Sequence, residues 1–87
     1  MRYLADDEFL RGKVPMTKRE VRILTMAELA VMPGDIVADI GAGTGSLSIE
    51  AARAVGDGTV YAVERNPEAV QLIRENARRF GLTNIVV

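Results

Sequence analysis

The sequence predicts an α/β fold, a parallel sheet with helices on both faces. Two observations predict it. Stretches of helical period alternate with short β-branched apolar runs, and breakers rich in glycine and proline separate them. The order reads helix, strand, helix, strand, helix, strand, which calls for parallel strands joined by right-handed crossovers. The 87 residues are read as a single domain, with 1–16 as an N-terminal segment and 17–87 as an αβαβαβ half-unit.

The stretch Arg11-Gly12-Lys13-Val14-Pro15 reads as a loop leading into ordered structure. Helix signals begin at Thr17, where Thr17 and Glu20 have the T-x-x-E spacing of a capping box and Met16 and Val21 that of a hydrophobic staple. Val21, Leu24, Glu28 and Val31, with Ile23, Ala27 and Ala30, make a mostly apolar face, and Pro33-Gly34-Asp35 stops the helix. Ile36 to Ile40 reads as a buried strand, Gly41 to Gly45 as a glycine-rich turn, and Ser46 to Val55 as a helix. Gly56-Asp57-Gly58 breaks that helix, and Thr59 to Val63 is the second strand. Asn66 is placed as an N-cap with Pro67 at the first helical position and Glu68 facing the positive end of the helix dipole. Val70, Ile73, Ala77 and Phe80 follow at helical spacing, Gly81 suits the C′ position, and Ile85-Val86-Val87 starts a third strand.

Composition narrows the function. Lysine and arginine number 11 against 12 acids, a net charge of −1, so no nucleic-acid or membrane-surface partner is expected. The chain has no cysteine and no histidine. Disulfides, thiolate metal sites and cysteine nucleophiles are excluded, the commonest general base is missing, and no metal site is expected. No apolar run approaches the ~20 residues of a membrane span. The start Met1-Arg2-Tyr3-Leu4-Ala5-Asp6-Asp7 is too acidic for a signal peptide, and a cytoplasmic location is expected.

The glycine turn holds the chemistry. Glycines after a first strand allow positive φ and let backbone approach a ligand, while the next helix points free N–H groups at it. A dinucleotide fingerprint reads G-x-G-x-x-G, but here Gly41, Gly43 and Gly45 are spaced G-x-G-x-G, Ser46 takes the last glycine's place, and Asp39 precedes them. This D-x-G-x-G-x-G pattern resembles that of Rossmann-like methyltransferases, in which the loop backbone lies against S-adenosylmethionine. Glu64 ends the second strand roughly 20 residues past the loop, where related folds place the acid that holds a ribose. The resemblance implies that Glu64 accepts hydrogen bonds from both ribose hydroxyls. Two roles stay open for Asp39, a water-mediated contact near the ligand's amino group or the holding of the loop. Arg65 is either a stem packed on adenine or a solvated arginine.

The stretches Asp7 to Arg22 and Asp39 to Ser46, with Glu64-Arg65-Asn66-Pro67, are similar to one family in particular. It is the decarboxylating precorrin methyltransferases of cobalamin biosynthesis, including the cobalt-precorrin-6B C15-methyltransferases and the C-terminal domain of the precorrin-6Y C5,15-methyltransferases. Arg11-Gly12-Lys13-Val14-Pro15-Met16-Thr17-Lys18 is the most discriminating part, because general methyltransferases lack it. The resemblance implies an S-adenosylmethionine-dependent enzyme that methylates a tetrapyrrole carbon, removes carbon dioxide from a neighbouring acetate and releases S-adenosylhomocysteine. It implies cofactor contacts from Thr17 and from Gly41, Ala42, Gly43, Thr44 and Gly45, beside any cap made by Thr17. Lys13, Lys18 and Arg19 are candidates for the substrate's carboxylates, or ordinary surface charge. No catalytic residue is assigned.

The family's domain continues past Val87, so the chain is expected to be its N-terminal, cofactor-binding half. The open edge of Ile36–Ile40 would then template pairing with another chain, and a homo-oligomer formed through that edge or the N-terminal segment is expected. Two other functions are weighed. One is a methyltransferase of the same fold acting on protein or nucleic acid, which the near-neutral charge disfavours. The other is a non-catalytic half-domain.

Overall fold

The computed structural model describes residues 2–87. A 3-10 turn at Asp6–Glu8 precedes α1 (Arg19–Leu29), β1 (Ile36–Ile40), α2 (Ser46–Val55), β2 (Thr59–Val63), α3 (Pro67–Arg79) and β3 (Ile85–Val86). The strands pair parallel in the order β1-β2-β3, with Ile36 opposite Thr59 and Val60 opposite Ile85. Both crossovers step the same way across the sheet, and right-handed steps in one direction deliver their helices to one face.

That face holds the core. Val60, Val55, Ala51, Ala52 and Met26 form one cluster, with Val37 and Ile85 against it. Leu4, Phe9 and Ile49 form a second, flanked by Ala77, Phe80 and Leu82. The opposite face, presenting Ile36, Ala38, Ile40, Tyr61, Val63 and Val86, is exposed. The expectation of helices on both faces therefore holds for one face of these residues. Covering the other needs a crossover that steps the opposite way, and neither of the two here does.

The local signals for α3 work as expected. Asn66 Oδ1 accepts the Glu68 N–H at 3.0 Å, with Pro67 in the first turn. At the other end Gly81 has φ +66, the Leu82 N–H reaches the Ala77 carbonyl at 2.9 Å, and the Gly81 N–H reaches that of Arg78 at 3.1 Å. Those two bonds make a Schellman motif.

The start of α1 differs. The helix begins at Arg19 with Lys18 as N-cap, and no side chain caps it. The capping box of Thr17 and Glu20 does not form, because the Thr17 carbonyl is drawn to Arg22 Nη1 at 2.6 Å. The staple fails as well, since Val21 is exposed and Met16 packs toward Leu4 and Phe9. Leu24 on the expected apolar face is 63% exposed, and the helix buries Arg22 and Met26 instead. Apolar residues surround this helix on most sides, so tertiary partners choose its buried face. Arg22 has the stronger partners.

The N-terminal segment is folded against the body rather than merely leading into it. Leu4, Phe9 and Val14 are all buried, Val14 against Ala69 and Leu72 of α3. Arg22, fully buried, is its anchor: it donates to the Leu4 and Thr17 carbonyls and to Asp6 Oδ1, each at 2.6 Å. Its Nε lies 3.6 Å from Oε2 of the equally buried Glu50, and its guanidinium stacks 4.8 Å from the Phe9 ring centroid. Glu50 in turn accepts the Leu4 N–H and the Arg53 guanidinium, both at 3.0 Å.

Candidate functional site

The site grows from the end of β1. Gly41, Gly43 and Gly45 have φ of +74°, +59° and +84°, a region that side-chain-bearing residues enter at a cost. The alternating spacing noted in the sequence is thus a run of left-handed turns. Their N–H groups are fixed one by one. Gly41 and Ala42 donate to the Val63 carbonyl at 2.8 and 3.1 Å, Gly43 to Glu64 Oε1 at 2.9 Å, and Gly45 to the Ala42 carbonyl at 2.9 Å.

Glu64 is therefore in the site, clasped to the loop. Its second oxygen, Oε2, accepts from the N–H groups of Asn66 at 3.0 Å and Arg65 at 3.1 Å. These donors favour the charged form, those of Asn66 and Gly43 most, and hold the carboxyl below its ordinary value. Ile40, Gly41, Val63, Glu64 and Arg65 line an open cleft of about 270 Å³. Arg65 is exposed at its rim.

Asp39 points its carboxylate at α2, where Oδ2 accepts the Ser48 hydroxyl at 2.7 Å. The bond ties the end of β1 to α2 across the loop, and both roles of Asp39 stay open. Thr44 and Gly45, expected as contacts, are buried in the loop. A Cβ at Gly45 would stand 3.0 Å from Ile73 Cγ1, and the Thr44 carbonyl is taken by Asn76. The surface of the loop is Gly41, Ala42 and Gly43.

The segment before α1 packs against the glycine loop at Gly43. The Pro15 carbonyl lies 3.4 Å from where a Cβ at Gly43 would be, with Val14 Cγ1 at 3.8 Å. Thr17, two residues further on, is half-buried. Lys13 and Lys18 are exposed, Arg19 is half-buried, and none of the three joins an ion pair among the described residues. No cluster of acids that could hold a metal ion occurs among the described residues.

Sequence reasoning missed Arg22, Glu50 and Asn76. One signal was present for Glu50, an acid set among Leu47, Ile49, Ala51 and Ala52 of α2, where burial without a partner would be costly. Asn76 stands three residues after Ile73 on the buried stripe of α3, which is a similar cue.

Comparison with known proteins agrees with this geometry. A family model described as precorrin methyltransferase domain matches residues 8–87. The cobalt-precorrin-6B C(15)-methyltransferase (decarboxylating) of Salmonella typhimurium is 48% identical over 83 residues, covering 94% of this chain and 43% of that protein. The crystal structure of precorrin-6y C5,15-methyltransferase from Geobacter metallireducens superposes with a TM-score of 0.90 at 39% identity, over 97% of this chain and 45% of that one. An S-adenosylmethionine-dependent O-methyltransferase from Thermotoga maritima shares the fold at a TM-score of 0.77 and 30% identity, over 82% of this chain and 28% of its own. This chain spans less than half the length of the relatives it matches. With its parallel sheet, its glycine loop clasped by Glu64 and a match from residue 8 to 87, the chain belongs to the precorrin methyltransferase domain family.

Proposed function

We propose that this chain is the cofactor-binding part of an S-adenosylmethionine-dependent C-methyltransferase, decarboxylating, that acts on a precorrin or cobalt-precorrin tetrapyrrole in cobalamin biosynthesis. The observation that carries the reading is the bond from the Gly43 N–H to Glu64, which sets an ionised acid beside a bare glycine backbone at the mouth of a cleft. The donor set fits a nucleoside ligand. An ionised carboxylate offers about four acceptor sites. Backbone N–H groups use three here, from Gly43, Arg65 and Asn66. One site on Oε1 is open for a ribose hydroxyl, and a second hydroxyl would share with the Gly43 N–H.

S-adenosylmethionine, when bound, supplies a methyl group already activated by its sulfonium. The chain's own residues then have to bind and orient rather than to move protons, which suits a sequence without histidine or cysteine. Glu64 holds the ribose, Gly41 to Gly43 present backbone, and the stem of Arg65 covers the rim. Asp39 keeps the loop against α2 through Ser48. Thr17, two residues past Pro15, is assigned to the cofactor, and Lys13, Lys18 and Arg19, which join no ion pair among the described residues, offer charge to an acidic tetrapyrrole. A cytoplasmic setting and self-association through the open edge of β1, which pairs with β2 on one side only among the described residues, or through the N-terminal segment, belong to the same reading; a monomer by light scattering would remove the latter.

Calorimetry with S-adenosylhomocysteine tests the cofactor assignment. The wild-type chain is expected to bind, and Glu64→Ala to bind about tenfold to a hundredfold more weakly, since hydrogen bonds to a charged group contribute about 1.5–3 kcal/mol. Equal affinity in the two proteins would overturn the ribose assignment. Binding without methyl transfer to a tetrapyrrole would favour the non-catalytic half-domain.

A further inference from the structure

Asn76 is fully buried near the end of α3, and its amide group is used on both sides. Oδ1 accepts the Leu10 N–H at 2.7 Å, while Nδ2 donates to the Leu10 carbonyl at 2.7 Å and to the Thr44 carbonyl at 3.0 Å. One side chain thus joins α3, the N-terminal segment and the glycine loop. Leu10 lies 66 residues away in sequence and Thr44 lies 32 away, so neither bond belongs to local helix structure.

These contacts flank the site on both sides. Thr44 sits between Gly43, which donates to Glu64, and Gly45, which is braced by Ile73 one turn before Asn76. Leu10 starts the segment that runs to Pro15, whose carbonyl lies against Gly43. We infer that Asn76 is a positioning residue that locks the N-terminal segment and the glycine loop into one unit, so that the Pro15 carbonyl and the backbone of Gly41 to Gly43 keep a single geometry. The inference rests on the cofactor reading of the loop given above.

The chemistry requires an amide. Two carbonyl oxygens need donors and one N–H needs an acceptor, all on a side chain of two branches. A carboxylate of the same shape can only accept, so it turns both carbonyl contacts repulsive. Leucine keeps the bulk and satisfies none of the three groups.

The test uses the 87-residue chain as wild type, Asn76→Asp and Asn76→Leu, with the folded fraction measured for each by circular dichroism. At equal folding, Asn76→Asp and Asn76→Leu are expected to bind S-adenosylhomocysteine about tenfold more weakly, as suits the loss of buried hydrogen bonds. Their Gly41 and Gly43 amide resonances, whose peptide groups Asn76 does not touch, are expected to shift without any ligand, which loss of the Asn76 bonds without movement of the loop does not produce. Folded variants with wild-type affinity and unmoved glycine resonances overturn the inference. Should both variants fail to fold, hydrogen exchange on the wild type decides. Adding S-adenosylhomocysteine is expected to slow exchange at the Leu10 N–H, and an unchanged rate overturns the inference. A wild type that does not bind S-adenosylhomocysteine would sink the cofactor reading, and with it the functional part of this one, while the ligand-free glycine resonances of the variants still report whether Asn76 couples the two segments.

Discussion

Replacing Arg22 by methionine removes a charge from the centre of the molecule while keeping most of its volume. Three donor bonds of 2.6 Å disappear, to Leu4, Thr17 and Asp6, together with the approach to Glu50 at 3.6 Å. Breaking a buried ion pair by removing one partner costs about 3–5 kcal/mol, because the other charge stays buried. Glu50 keeps Arg53 and the Leu4 N–H, and Asp6 reaches solvent, which places the loss near the lower end, about 3 kcal/mol. A chain of this size has a total stability of roughly 4–13 kcal/mol, so the loss is a fifth or more of it. Urea unfolding followed by circular dichroism measures it as a lower midpoint. A loss below about 1 kcal/mol would refute the view that Arg22 anchors the N-terminal segment. The double variant Arg22→Met, Glu50→Leu is expected to cost less than the two single changes added together, since no lone charge remains inside. Additive losses would show that the pair is not coupled.

Two further predictions concern single positions. Ala30 closes α1 in the left-handed region at φ +50°, so Ala30→Gly is expected to raise stability by up to about 1 kcal/mol in the same assay, and no gain would mean that the cap relaxes freely. Glu64 has its pKa lowered in the folded chain, so its contribution is present above the ordinary value of 4.5 and is lost only as pH falls through the lower folded value. The Gly43 amide resonance is therefore expected to hold steady from neutral pH down to 4.5 and to move below it; a midpoint at or above 4.5 would contradict the hydrogen-bond pattern.

Much of the site was readable because its determinants are local. A strand that ends in Gly41-Ala42-Gly43-Thr44-Gly45 can turn through the left-handed region without steric cost at its glycines, and all three adopt positive φ. Glu64 was readable because parallel pairing of β1 with β2 sets the two strand ends side by side, so an acid just past Val63 meets the loop. The caps of α3 depend on residues within one turn of it, and both formed as expected.

The amino-acid sequence by itself therefore determined the order of elements, the strand and helix limits from Ile36 onward, and the pairing of glycine loop with acid. Tertiary structure alone decided which face of α1 is buried, why Thr17 does not cap it, and how Leu4 to Pro15 is bound to the body. The bonds that settle those questions run from Arg22 to Leu4 and Asp6, from Glu50 to Leu4 and from Asn76 to Leu10, across 16 to 66 residues of chain. Periodicity reports only which side of an element is apolar. A buried arginine, glutamate or asparagine is held by partners that no local pattern brings near, and its burial becomes favourable only when the folded chain has supplied all of them.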